Sequence, residues 1–147
     1  MSGALHDISL SDLAQASNGS LVGTDSKIQS VSTDSRSIAS GDVYFCLRGE
    51  NFDGHDYAQA SVAAGAVAIV CERSLDSGVA EVVVPDARRA YGMLAMLWRN
   101  KLSLKLIGVT GSNGKTTVKQ LLKEICAEAG SVQYLSLIHI SEPTRPY

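Results

Sequence analysis

Three spacings of apolar residues succeed one another along the chain, and each predicts a different element. From 43 to 48, Val43, Phe45 and Leu47 alternate with Tyr44, Cys46 and Arg48, and the β-branched and aromatic content suits a strand. A polar, glycine-bearing loop, GENFDGHD, follows. The spacing then turns helical from Tyr57 to Ala64, Gly65 stops it, and the apolar run AVAIVC predicts a buried strand. Strand, helix and strand in that order form a βαβ unit with a parallel pair. EVVVPD supplies a further strand ended by Pro85, and Asp86 caps a helix on which Ala87, Ala90, Tyr91, Leu94, Leu97 and Trp98 recur at helical period, ending at Asn100 to Leu102. Trp98, Met93 and Met96 have core spacing on that helix and are expected to pack. Upstream, Ser9 or Ser11 can cap a short helix and Gly19 can end it in a left-handed conformation, while 20–36 mixes β-branched and turn residues and reads as irregular β.

After residue 103 comes LKLIGVTG, a short apolar run that predicts a strand, and then an amphipathic helix carrying Val118, Leu121, Leu122, Ile125, Cys126 and Ala129 three and four apart. Residues 135–147 follow none of this periodicity and carry two of the three prolines; they read as a non-native tail.

At 147 residues there is room for one ordinary domain, or a small domain and part of another. With 45% hydrophobic and 19% charged residues, the chain can bury enough apolar surface to fold. A formal charge of -2 offers no basic stripe for a nucleic-acid backbone, so nucleic acid is excluded as a partner. The cysteines at 46, 71 and 126 are odd in number and sit in apolar runs, which suits buried thiols of a reducing compartment. No basic start precedes an apolar stretch and no run is long enough for membrane insertion, so a cytoplasmic location is expected.

The strongest chemical signal is Gly108-Val109-Thr110-Gly111-Ser112-Asn113-Gly114-Lys115-Thr116-Thr117. Glycines at 111 and 114 let backbone amides converge, and a helix starting at Lys115 adds its positive end; phosphate is the natural occupant. Gly111, Ser112, Asn113, Gly114, Lys115, Thr116 and Thr117 are the candidate nucleotide-binding residues. Lys115 and Thr116 carry the chemistry, the lysine on the β and γ phosphates of ATP and the threonine hydroxyl on Mg²⁺. The spacing departs from the usual phosphate loop, since five residues separate Gly108 from Gly114 and Val109 stands where a glycine is expected. Asp53 and His55 have no third ligand nearby and do not make a metal pair.

VTGSNGKTTVK resembles the nucleotide loop of the Mur ligase family, in which T-G-[ST]-N-G-K-T stands at this point and the departure at Val109 is normal. STDSRSIASGDVYFCLRGENFDGHDYAQASVAAGAVAIVCER is similar to that family's UDP-binding N-terminal domain, and VPDARRAYGMLA to the segment joining it to the ATPase domain. The resemblance covers nearly all of Met1 to Tyr134. It implies an α/β protein with three parts: a small N-terminal α/β domain over 1–85, the truncated start of a parallel-sheet P-loop ATPase domain over 86–134, and the tail. It also implies UDP contacts from two loops, Ser32, Thr33, Asp34, Ser35 and Arg36 in one and Glu50, Asn51, Phe52, Asp53 and Gly54 in the other.

The implied reaction is ATP-dependent amide-bond formation on a UDP-N-acetylmuramoyl peptide in peptidoglycan synthesis, through an acyl phosphate. GENFDGHD and TTVKQLL look most like the family member that adds D-alanyl-D-alanine to the tripeptide. Addition of diaminopimelate or lysine to the dipeptide is the alternative, and a noncatalytic UDP-sugar-binding module another. The full-length form is expected to be a monomer, and the truncated chain inactive alone.

Overall fold

The computed structural model describes residues 7–102, 105–128, 130 and 132. The expected tail at 135–147 and the helical position Ala129 lie outside the described residues. Packing divides the chain into two units, Met1–Ser103 and Leu104–Tyr147.

The first unit is a five-stranded sheet in the order β1-β5-β4-β3-β2, built from β1 (Ser20–Val22), β2 (Ser30–Ser32), β3 (Asp42–Phe45), β4 (Ala68–Cys71) and β5 (Ala80–Val83). β2, β3, β4 and β5 run parallel; β1 pairs antiparallel with β5. The stretch read as irregular β thus contributes both rim strands. The expected parallel pair is β3 with β4, in register from Val43↔Ala68 to Phe45↔Val70, joined by α2 (Ala58–Ala64). Gly65 ends α2 at φ 120, as expected of a residue free to adopt that conformation.

Helices cover both faces, and the alternation along β3 sorts its residues between them. Val43 and Phe45 join a core with Ile8, Leu13 of α1 (Leu10–Ala16), Val70, Val82 and Leu94 of α3 (Ala87–Lys101). Tyr44 and Cys46 join Ile69, Cys71 and Ala58 of α2 on the opposite face. Two covered faces explain why the strands read as nearly unbroken apolar runs. Leu13 and Ile69 are fully buried, and truncating either to alanine would cost about 2–5 kcal/mol.

α1 starts in a capping box: the Ser9 hydroxyl accepts from the Asp12 amide at 3.1 Å, and the Asp12 carboxylate accepts from the Ser9 amide at 2.9 Å. Its end differs from the expectation. Asn18, at φ 52, takes the left-handed conformation, and Gly19 is required for another reason, since a Cβ there would stand 2.4 Å from the Val83 carbonyl oxygen.

α3 is capped by Asp86, whose carboxylate accepts from the Arg89 amide at 2.8 Å. It lies within the first unit, because Ala87, Ala90 and Leu94 bury against the sheet with Leu97 beside them. Trp98 and Met96 are exposed: the one stripe of α3 that meets the sheet is lined by the small and branched residues, which leaves them on its flank. Tyr91 packs edge-on to Phe45 with ring centroids 5.1 Å apart. Cys46 and Cys71 are buried free thiols, and burial pushes both up to about 12, so neither forms thiolate near neutrality.

In the second unit, residues 105–110 form no strand, and Leu106 and Ile107 are exposed. A strand needs neighbours to complete its ladder, and none pairs with this run among the described residues. α4 (Lys115–Ala127) forms where expected, yet none of its described residues is buried; Val118, Leu121 and Ile125 stand exposed.

Candidate functional site

Two connections leave the carboxyl ends of β2 and β3 and meet over one open cleft. After β2, the Ser32 hydroxyl accepts from the Asp34 amide at 3.2 Å and donates to the Asp34 carbonyl at 3.0 Å, folding a tight turn. Asp34 then caps a 3-10 turn, Ser35–Ser37, by accepting from the Arg36 amide at 3.0 Å. After β3 the chain doubles back on itself. Gly54 donates to the Leu47 carbonyl and Gly49 to the Phe52 carbonyl, both at 2.9 Å, so that Glu50 and Asn51 form an exposed tip. Gly54 allows this closure, because a Cβ on it would come within 2.7 Å of the Leu47 backbone.

The cleft has a volume of about 360 Å³ and is lined by Thr33, Asp34, Ser35 and Arg36 from the first loop, Phe52 from the second, and Tyr44 and Tyr57. Both predicted loops therefore contribute. Ser32 braces the turn, Gly54 is buried and accepts from the Tyr44 hydroxyl at 3.2 Å, and Asp53 turns to cap the 3-10 turn Gly54–Tyr57. Tyr44 and Tyr57 were absent from the predicted set. Tyr44 had a signal in the alternation that set it opposite Val43 and Phe45. Burial pushes its hydroxyl up to about 12, so it stays a neutral donor to Gly54. Phe52 and Tyr57 are half exposed and set apolar rings beside the polar Thr33 to Arg36 loop, a composition that suits a planar base joined to a hydroxyl-bearing sugar.

Arg36 is the cation of the cleft, and its fork is engaged. Nε donates to Asp34 Oδ1 at 2.9 Å and Nη2 to Oδ2 at 2.7 Å, with the arginine side chain 87% exposed. The guanidinium holds the Asp34 carboxyl down, to about 2. A diphosphate seeking a bidentate partner must draw the fork away from Asp34 or meet Nη1.

The phosphate loop lies in the second unit. Gly111 has φ 143 and Gly114 φ 77, with open space where a Cβ would stand on Gly114, and Ser112 and Asn113 bend between them. Gly114 caps α4 without a side-chain hydrogen bond to its first turn, while the Val118 amide returns to the Gly114 carbonyl at 3.0 Å. The amides of Lys115, Thr116 and Thr117 thus open α4 with no side-chain cap, which fits an anionic ligand. Thr116 and Thr117 are exposed on the first turn, and the Lys115 ammonium folds back onto the Gly111 carbonyl. To reach a phosphate, Lys115 must leave that carbonyl.

Among the described residues, no group of three or more His, Cys, Asp and Glu side chains could hold a metal ion, and no helix is long and apolar enough to cross a membrane.

A mostly parallel, helix-covered sheet with a cleft at its carboxyl edge defines an α/β ligand-binding domain. Residues 27–99 match the Mur ligase family, catalytic domain. The UDP-N-acetylmuramoyl-tripeptide--D-alanyl-D-alanine ligase of Escherichia coli (strain K12) is 37% identical over 127 residues, 86% of this chain and 28% of that protein. The UDP-N-acetylmuramoyl-L-alanyl-D-glutamate--2,6-diaminopimelate ligase of Halalkalibacterium halodurans is 46% identical over 107 residues, 71% of this chain and 22% of that protein. Among solved structures, the MurF ligase of Thermotoga maritima in complex with ADP superposes with a TM-score of 0.61 at 32% identity, covering 67% of this chain and 23% of its own. The chain belongs to the Mur ligase family. It spans about a quarter of the length of the curated relatives it matches.

Proposed function

We propose that this chain supplies the UDP-substrate domain and the ATP phosphate loop of a cytoplasmic, ATP-dependent ligase that joins D-alanyl-D-alanine to UDP-N-acetylmuramoyl tripeptide in peptidoglycan synthesis. The observation that carries this is the meeting of Thr33 to Arg36 with Phe52 in one cleft, where the two loops expected to hold the uridine nucleotide face one ligand-sized space. Hydroxyls of Thr33 and Ser35 and the backbone of the Asp34 turn recognise the base and ribose, and Phe52 and Tyr57 shield them from water. Arg36 meets the diphosphate.

ATP, bound with Mg²⁺, supplies the phosphoryl group that activates the substrate carboxylate. Gly111 to Thr117 would cradle its phosphates through backbone amides, with the Thr116 hydroxyl on the magnesium ion. The Lys115 ammonium, once off the Gly111 carbonyl, neutralises charge on the oxygens that carry it. Such a site works by position and electrostatics. ADP in the Thermotoga maritima relative supports nucleotide binding in this family. Addition of diaminopimelate to the dipeptide is the second specificity, favoured by the 46% identity to the Halalkalibacterium halodurans ligase. The peptide end of the UDP substrate and the amine that is joined to it would then be held by the remaining length of a full ligase.

Titrating this chain with UDP and, separately, with ATP tests the assignment. Saturable UDP binding with feeble ATP binding is expected, because the run at 105–110 that leads into the loop pairs with no strand among the described residues; a folded chain that takes up no UDP refutes it. In the full-length ligase, Lys115→Ala is expected to abolish turnover and leave UDP-substrate binding unchanged. Product formation by that variant would remove the lysine from the mechanism.

A further inference from the structure

His55 lies outside the cleft lining, yet its ring is fully buried and both nitrogens are committed. Nδ1 stands 2.5 Å from Asp53 Oδ1, and Nε2 accepts from the Glu72 amide at 2.9 Å. An amide can only donate, so Nε2 must be the bare nitrogen and Nδ1 must carry the proton toward Asp53.

The contact extends into a ring of polar groups that ties together the connections leaving β3, β4 and β5. The Glu72 carboxylate accepts from the Ala87 amide at 3.1 Å and meets Arg48 Nε at 3.2 Å. Arg48 Nε also approaches Asp53 at 3.5 Å, Arg73 approaches the same carboxylate at 3.8 Å, and Arg88 donates to the Arg48 carbonyl at 3.0 Å. Asp53 is the shared member. It follows Phe52 directly and pairs across the hairpin with Arg48, so where Asp53 is held decides where Phe52 stands over the cleft. Hydrogen bonds from the His55 amide and ring, with Arg48 beside them, hold the Asp53 carboxyl below its ordinary range, in keeping with a carboxylate that stays charged as an anchor.

We infer that His55 is a positioning residue for the uridine-nucleotide cleft: acting through Asp53, it fixes the 49–54 hairpin in the form that receives the ligand. This rests on the UDP-binding function proposed above. The side chain touches no ligand; its effect is to hold Phe52 and the Gly49 to Phe52 tip in place before binding, so that the ordering is not charged against affinity.

Two substitutions separate positioning from space-filling, because each keeps one of the two bonds. In His55→Asn the amide nitrogen falls where Nδ1 was and can still donate to Asp53; in His55→Gln the longer amide reaches the Glu72 amide and the Asp53 bond is lost. UDP affinity is expected near the wild-type value in His55→Asn and about tenfold weaker in His55→Gln, the scale of one hydrogen bond to a charged partner. Circular dichroism is used to confirm that both remain folded. Equal affinities in the two folded variants overturn the inference and leave the UDP assignment standing, whereas no UDP binding by the unaltered chain sinks both.

Should either variant fail to fold, nitrogen-15 spectra of the unaltered chain decide. A proton on Nδ1, with ring resonances that shift as UDP saturates the cleft, supports the positioning role. A proton on Nε2, or a ring unmoved at saturation, overturns it.

Discussion

Glu81 sits on β5, almost fully buried, and its replacement by glutamine tests whether a buried carboxylate organises the connection between β4 and β5. Each of its oxygens serves one amide and one hydroxyl. Oε1 accepts from the Ser77 amide at 2.8 Å and the Ser77 hydroxyl at 2.7 Å; Oε2 accepts from the Leu75 amide and the Ser74 hydroxyl, both at 3.0 Å. Hydroxyls can turn to accept, but amides cannot. Whichever oxygen becomes the NH₂ of glutamine therefore faces an amide donor with another donor, so an isosteric change still loses a charge-assisted bond and strands a buried N–H. The two effects together cost about 2–4 kcal/mol.

The pH dependence follows from the same contacts. Burial alone would raise the Glu81 carboxyl, yet the hydrogen bonds from Ser77, Leu75 and Ser74 outweigh it and hold it below its ordinary value. A carboxyl lowered in the folded state stabilises above its unfolded value and loses that contribution as pH falls through the folded one. Urea unfolding followed by the fluorescence of Trp98, the single tryptophan, measures both chains from pH 7 downward. The gap between wild type and Glu81→Gln is expected to be full at pH 7 and to shrink below about pH 4.5. A gap under about 0.5 kcal/mol at pH 7, the range of an ordinary surface change, or one that widens in acid, would refute the reasoning.

Gly65→Ala is expected to destabilise the first unit by about 1–3 kcal/mol, since the residue has φ 120 and a Cβ would stand 3.1 Å from Ser40 Cα; unchanged urea unfolding would count against it. A thiol reagent at neutral pH should label Cys126 quickly while Cys46 and Cys71 react only after denaturant is added, because burial raises the latter two to about 12. Fast reaction of all three cysteines in the folded chain would show that β3 and β4 are not packed as described.

The elements with one unambiguous period were legible in the sequence, and those decided by contact were not. The alternation at Val43 to Cys46 marked β3 and even separated the residues that face α3 from those that face α2. Asp86 and Gly65 marked helix limits because each does so through a local hydrogen bond or dihedral. Gly19 misled because close approach to Val83 requires a glycine as firmly as a left-handed bend does. Trp98 and Met96 misled because periodicity gives the stripe but not its width. The run at 105–110 has the composition of a strand, but composition does not supply a partner for its amides.

At the cleft, the two loops were named by the family resemblance, whereas Tyr57 became a lining residue only through the fold. Nothing local shows that Arg36 is claimed by Asp34, since the same pair could as readily have opened toward a ligand.

Both rims of the sheet are only three residues long, Ser20–Val22 on one side and Ser30–Ser32 on the other. A foreign strand laid along either would gain few ladder bonds, so the first unit gives little purchase to strand-by-strand clumping. Stickiness should reside instead in Val118, Leu121 and Ile125 of α4, and a charge placed at Leu121 ought to keep the chain in solution while leaving the sheet as it is.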